Sequence, residues 1–141
     1  MTSASPVASS ATGTSLVRLP RVAAAAGVAL VLNLAAFVAG STAGATWDAG
    51  LPVAINPVMV SMASLVPVAL AGAATWYVAA RRTGFQRAAA WVGLVFGVIT
   101  APAPFVMSGD LPTAAGLASM HVITAIAWFF AVRPAADARR A

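Results

Sequence analysis

The chain of 141 residues has no cysteine, no lysine and no glutamate, and only 8% of it is charged. Without cysteine there are no disulfide staples, no thiolate metal ligands and no thiol redox chemistry. Without glutamate there is no membrane-buried proton carrier of the kind used by small multidrug exporters. The single histidine leaves no pair to hold a membrane haem within one chain, and too few ligands for an iron desaturase centre. The little charge present is one-sided: eight arginines against three aspartates, a net +5. A basic stripe on a soluble face would suit nucleic acid, but these arginines sit in short clusters between long apolar runs, as the cytoplasmic flanks of membrane helices do. No nucleic-acid partner is expected. What the chain does have is apolar residues, 61% of the total, more than a soluble domain of this size hides. Heavy use of Ala, Val and Arg without Lys matches proteins of high-GC bacteria such as actinobacteria.

Residues 1–17 are small, polar and nearly uncharged, so they are expected to form a disordered tail. The domain proper is read as 18–134, and 135–141 as a short basic tail. The first apolar run, about 22–42, is long enough to cross a hydrocarbon core of roughly 30 Å at about 1.5 Å per residue. A loop with Trp47 and Asp48 follows. A second span is expected at about 56–80, with Asn56 capping and Pro57 in the first turn. A third covers about 88–107. The turn Ser108-Gly109-Asp110 and Pro112 lead into a fourth at about 112–132. The fold class expected is all-α: an integral membrane, four-helix antiparallel transmembrane bundle. A shorter alternative would make the first run a signal peptide cleaved after Ala45, but the run exceeds the usual signal core of about 7–15 residues.

Arginines decide the orientation. Arg18 and Arg21 precede span one, Arg81, Arg82 and Arg87 join spans two and three, and Arg133, Arg139 and Arg140 follow span four. All fall on one side, facing Asp48 and Asp110 on the other, which predicts a protein of the cytoplasmic (plasma) membrane with both termini cytoplasmic. Trp76, Trp91 and Trp128 then fall at the inner interface as an aromatic belt.

Helices in lipid associate through small residues and polar contacts. Span one offers Asn33, Ala36, Gly40 and Gly44, span two Ser61, Ser64, Val68, Ala71 and Thr75, span three Gly93, Gly97, Thr100 and Pro104, and span four Ala114, Leu117, His121, Thr124 and Trp128. Pro67, Pro102 and Pro104 free the carbonyls of Ala63, Val98 and Thr100, which need partners from a neighbouring helix or water. Counting rises, Asn33 lies roughly 18 Å from the inner edge and His121 roughly 14 Å from the outer edge. A buried polar node of Asn33, Ser64, Thr100 and His121 is expected near the midplane, opening toward the outside. One ring nitrogen of His121 would donate to Asn33 or a carbonyl and the other would be free to accept.

Two readings of that node stay open. In one it is glue that fixes helix register; in the other it is a hypothetical ligand-binding site, because an ionisable group at midplane is costly to keep. No catalytic residue, metal ligand or cofactor is assigned. Ser64 with His121 has no third orienting group and no oxyanion motif, and Met59, Met62, Met107 and Met120, which could offer soft Cu(I) ligands, are ordinary packing residues in membrane helices.

The Asn in the first span, the basic loop, the Thr-Ala-Pro-Ala-Pro segment at 100–104 and Leu-Ala-Ser-Met-His-Val-Ile-Thr-Ala at 117–125 together resemble an actinobacterial family of four-helix integral membrane proteins of unknown function. The resemblance covers about residues 20–133 and implies an architecture without an activity. The function expected is therefore that of a small multi-pass membrane protein, not an enzyme, structural or accessory in role and associating through its small-residue faces. The alternative is a binding or transport protein whose node around His121 takes a small apolar or weakly polar ligand. Expected partners are membrane lipids, with a second copy or another membrane protein as candidates.

Overall fold

The computed structural model describes residues 17–134. The two tail readings lie outside the described residues, except at Val17, which is buried in an apolar cluster with Val22, Ala131 and Val132. Among the described residues every regular element is helical: α1 Leu19–Thr42, α2 Pro57–Ala79, α3 Phe85–Thr100, α4 Pro104–Met107 and α5 Leu111–Val132. α1, α2, α5 and the joint α3–α4 unit Phe85–Met107 are each 22 to 24 residues long and apolar enough to cross a membrane. The molecule is an all-α, four-helix antiparallel bundle, and the chain is a small multi-pass membrane protein.

Local chemistry sets the helix ends. Asn56 Oδ1 accepts from the backbone of Val58 (3.0 Å) and Met59 (3.1 Å), with Pro57 in the first turn of α2. Asp110 Oδ1 accepts from the Thr113 backbone at 2.7 Å and starts α5. These satisfy amides that have no partner within the helix. α1 stops where Gly44 turns to φ +88°. The backbone N–H of Ala45 then reaches Gly40 O (2.9 Å) and that of Gly44 reaches Ser41 O (3.2 Å), a Schellman ending. Gly44 therefore ends α1 and is not part of its packing stripe.

The third span starts at Phe85, three residues before the sequence expectation, and breaks at 101–103. Pro102 and Pro104 remove donors two positions apart, and each ring crowds the turn before it. The freed carbonyls are satisfied locally, which differs from the expectation of a partner from another helix. Ala101 N–H reaches Val98 O at 3.3 Å and Ala103 N–H reaches Thr100 O at 3.0 Å. These are tightened i to i+3 turns.

Only a narrow stripe of each helix turns inward. On α1 it is Val22, Ala26, Ala29 and Asn33, and on α2 Val60, Ser64, Val68, Gly72 and Thr75. Spacings of three and four residues keep each set on one face. Val31, Leu70, Ile99 and Val106 point outward and are exposed, an arrangement suited to lipid as the solvent.

The helices lie in the order α2, α1, α5, α3, and the last two helices of that circuit, α3 and α2, barely touch. Glycines make the close approaches. A Cβ on Gly72 would meet Val22 Cγ1 at 2.6 Å, on Gly93 the Trp128 indole at 2.1 Å, and on Gly97 the Ala125 Cβ at 2.5 Å. Trp128 is thus buried, and its Nε1 donates to Ala89 O at 2.9 Å. It bolts α5 to α3, contrary to its expected place in an interfacial belt; Trp76 and Trp91 are exposed.

At the basic end, Arg21 Nη1 donates to Arg133 O (3.1 Å) and Gln86 Nε2 to Val132 O (2.8 Å), meeting carbonyls left over where α5 stops. At the acidic end Trp47 plugs the bundle. It stacks on Phe37 with ring centroids 4.4 Å apart. Cβ atoms on Gly40 and Gly116 would lie 2.6 and 2.7 Å from its ring.

Candidate functional site

Asn33 is 3% exposed and lies mid-way along α1, on the face turned to α2 and α5. Its Nδ2 donates to Ser64 Oγ at 2.8 Å and to Thr124 Oγ1 at 3.0 Å. Ser64 Oγ in turn donates to Val60 O at 2.7 Å. A carbonyl can only accept, so the Ser64 hydrogen is committed to Val60 and its oxygen must accept from Asn33. That chain of roles fixes the amide: nitrogen faces Ser64, and Oδ1 is left buried without a partner. Leaving a buried acceptor unpaired costs about 1–3 kcal/mol.

The other two expected members of the node bond elsewhere. Thr100 Oγ1 donates to Phe96 O at 2.9 Å within its own helix. His121 Nδ1 donates to Leu117 O at 2.8 Å, so it meets a carbonyl and not Asn33. In the neutral ring Nε2 is then an acceptor. The polar centre that joins helices is therefore Asn33, Ser64 and Thr124. Thr124 stands in the small-residue stripe of the fourth span, but nothing in its sequence position distinguishes it from Ser61 or Ser119, whose hydroxyls bond back to Pro57 O and Gly116 O.

Asn33, Ser64, Thr100, His121 and Thr124 nonetheless share a space. Between α2 and α3 runs a cleft of about 820 Å³. Met59, Ala63, Pro67 and Ala71 form the α2 wall, Phe85, Val92 and Phe96 the α3 wall, and Asn33 with the His121 face of α5 the floor. Because α2 and α3 barely touch, the cleft is open along the seam between them, from Leu51 and Ile55 in the loop before α2 to Phe85 at the start of α3. Among the described residues no charged side chain lines it. Among the described residues no group of three His, Cys, Asp or Glu is placed to hold a metal ion.

A second polar cluster, not foreseen from sequence, closes the acidic end. Asp110 Oδ2 accepts from the Thr46 hydroxyl, from Thr46 N at 3.3 Å and from Thr113 Oγ1 at 2.8 Å. Trp47 N donates to Thr113 Oγ1 at 2.9 Å, and Trp47 Nε1 to Ser41 Oγ at 2.9 Å. The Thr46 hydroxyl, followed by the Thr113 backbone N–H, holds the Asp110 carboxyl down from its ordinary 3.8 to about 2, since donors stabilise the ionised form. The available sequence signal was Thr113 three residues after an Asp cap. Its distant partner in the 43–56 loop had none.

No curated protein and no solved structure is significantly similar to this chain. Residues 12–138 match the family described as a family of unknown function, DUF6069, and the chain belongs to that family.

Proposed function

We propose that this is a non-catalytic binding protein of the plasma membrane, whose lateral cleft takes a small apolar or weakly polar molecule out of the bilayer. The observation that carries the proposal is a cleft of about 820 Å³, the size of a drug- or cofactor-sized site, apolar in its walls and polar at a few convergent points. A site made only to fix helix register would close on itself; this one keeps His121 exposed within it. The non-catalytic reading is supported by Ser64, whose hydroxyl is committed to Val60 O and so has no bond to the histidine. Placement of both termini in the cytoplasm is supported by the arginines at one end, under the positive-inside rule. The Arg-for-Lys usage and the family resemblance support an actinobacterial source.

The reading as a structural or accessory protein associating through small-residue faces keeps one supporting observation. Gly40, Gly72, Gly93, Gly97 and Gly116 each meet a side chain of this same chain, whereas Gly27 has nothing within 4 Å and lies in a shallow dent with Ala24, Val28 and Val31. A second copy or another membrane protein would pack there.

The test is a native mass spectrum of the protein extracted gently from its own membrane, wild type beside Ala63→Phe, which fills the cleft from the α2 wall. A reproducible bound molecule lost from the folded variant is the expected result. An empty wild type that runs as a homodimer, and falls to a monomer on Gly27→Leu, would replace the binding proposal with the association reading.

A further inference from the structure

The polar atoms of the cleft are unevenly matched. His121 gives its Nδ1 hydrogen to Leu117 O, so Nε2 of the neutral ring is an unpaired acceptor. Asn33 Oδ1, beneath the same floor, is a second unpaired acceptor. Against these stands one free hydrogen: Thr124 Oγ1 accepts from Asn33, and its own O–H has no acceptor among the described residues. His121 and Thr124 are three residues apart on one helix, which puts their Cβ atoms about 5–6 Å from each other on the same face. Asn33 Oδ1 is sealed from the cleft, so within a ligand's reach the floor offers one acceptor, His121 Nε2, and one donor, the Thr124 O–H. Only a group that both donates and accepts pairs the two.

We infer that the cleft selects a neutral apolar lipid bearing a hydroxyl group, an alcohol or a phenol, over the same molecule without its O–H; this rests on the reading of the cleft as a binding site. The hydroxyl donates to His121 Nε2 and accepts from Thr124, and the apolar body lies between the α2 and α3 walls. Charged headgroups are disfavoured, because among the described residues no counter-charge lines the space and an unpaired buried charge is costly. Ketones, quinones and ethers only accept. They use the Thr124 hydrogen but bring none for His121 Nε2, and sites that hydrogen-bond a ligand hydroxyl reject analogues lacking it. A quinol, carrying O–H groups, is admitted where its quinone is not.

The probes are 4-dodecylphenol and its methyl ether 4-dodecylanisole, which share an apolar body and differ in the O–H. Each is titrated at equal mole fraction into the full chain in the same detergent, and occupancy is read by native mass spectrometry. The wild type should prefer the phenol by about tenfold or more, the free-energy equivalent of one good hydrogen bond in a dry site. His121→Phe should bring the phenol down to the level of the ether and leave the ether unchanged, and His121→Gln, whose side-chain oxygen still accepts, should restore part of the preference. Equal binding of both probes by the wild type, with both lost in Ala63→Phe, would overturn the hydroxyl selection while the cleft remained a binding site. Binding of neither probe would overturn the selection, and an empty protein from the native membrane would remove the cleft reading itself. A preference for the ether would also overturn it, since His121 would then be acting as a donor. The wild-type ratio of the two probes decides the matter even if a variant fails to fold.

Discussion

The seam between α3 and α5 and the gap between α3 and α2 are lined by similar apolar residues on the same helix, yet one is closed and the other open. At the closed seam, glycines receive bulk: the Trp128 indole sits where a Cβ of Gly93 would be, and Ala125 does the same at Gly97. Trp128 Nε1 then bonds Ala89 O across the seam. At the open side no glycine of α2 or α3 meets the other helix, because Gly72 is taken by Val22 of α1 and Gly93 and Gly97 by α5. Met59, Ala63, Pro67 and Ala71 face Val92 and Phe96 with nothing for either row to enter. In lipid there is little hydrophobic gain in bringing such rows together, so a seam closes only where shapes interlock or polar groups pair. The open seam is then available to a molecule from the bilayer.

Substitutions can break this contrast or sharpen it. The largest loss is expected from Trp47→Ala, which unplugs the acidic end between Gly40 and Gly116 and removes the Trp47–Phe37 stack; a buried Trp truncated to Ala costs about 3–5 kcal/mol. A denaturant titration in mixed micelles reads it, and a loss under about 1 kcal/mol would show that the plug is not what holds α1 to α5. Next is Gly93→Ala at the closed seam. The added methyl would meet the indole at 2.1 Å, and overpacking of this kind costs about 1–3 kcal/mol. The same titration measures it, and unchanged stability would mean that Trp128 has room to move and the seam is not tightly interlocked.

A smaller, pH-dependent effect belongs to Asp110. Its carboxyl is held at about 2, below the ordinary 3.8, so ionised Asp110 favours the folded form. That contribution is fully present above about pH 4 and is lost as pH falls through about 2. Melting temperature followed from pH 5 to pH 2 should therefore fall across that window in the wild type and stay flatter in Asp110→Asn, which keeps a capping oxygen but no titration. Identical acid profiles would assign the loss to other groups. The least effect on stability is expected at the open seam itself: Ala63→Phe adds bulk to a cleft with space for it and should change stability by about 0.5 kcal/mol or less. A loss as large as that of Gly93→Ala would mean that the α2/α3 seam is closed in the membrane.

The sequence by itself determined the number of spans and their up-and-down order, with the starts of the first and third each three residues late. Apolar length, proline, the Asn56 cap, the Ser108-Gly109-Asp110 turn and the arginine clusters are local signals, each readable within a few residues. It also picked out Asn33 and Ser64, because buried polar groups in an apolar run need partners and those two found each other. It misplaced Thr100 and His121 as partners of that pair, gave Trp128 to an interfacial belt, put Thr124 in the inward stripe without singling it out as the third member, and had no sign of Trp47 as a plug. The physical reason is rotation about the helix axis. A soluble helix shows which face is buried through its apolar stripe, but these helices are apolar all round and lie in a solvent as apolar as their core. Which residue faces a neighbour, and which faces a cleft, was decided only when glycine, indole and hydroxyl met across the bundle.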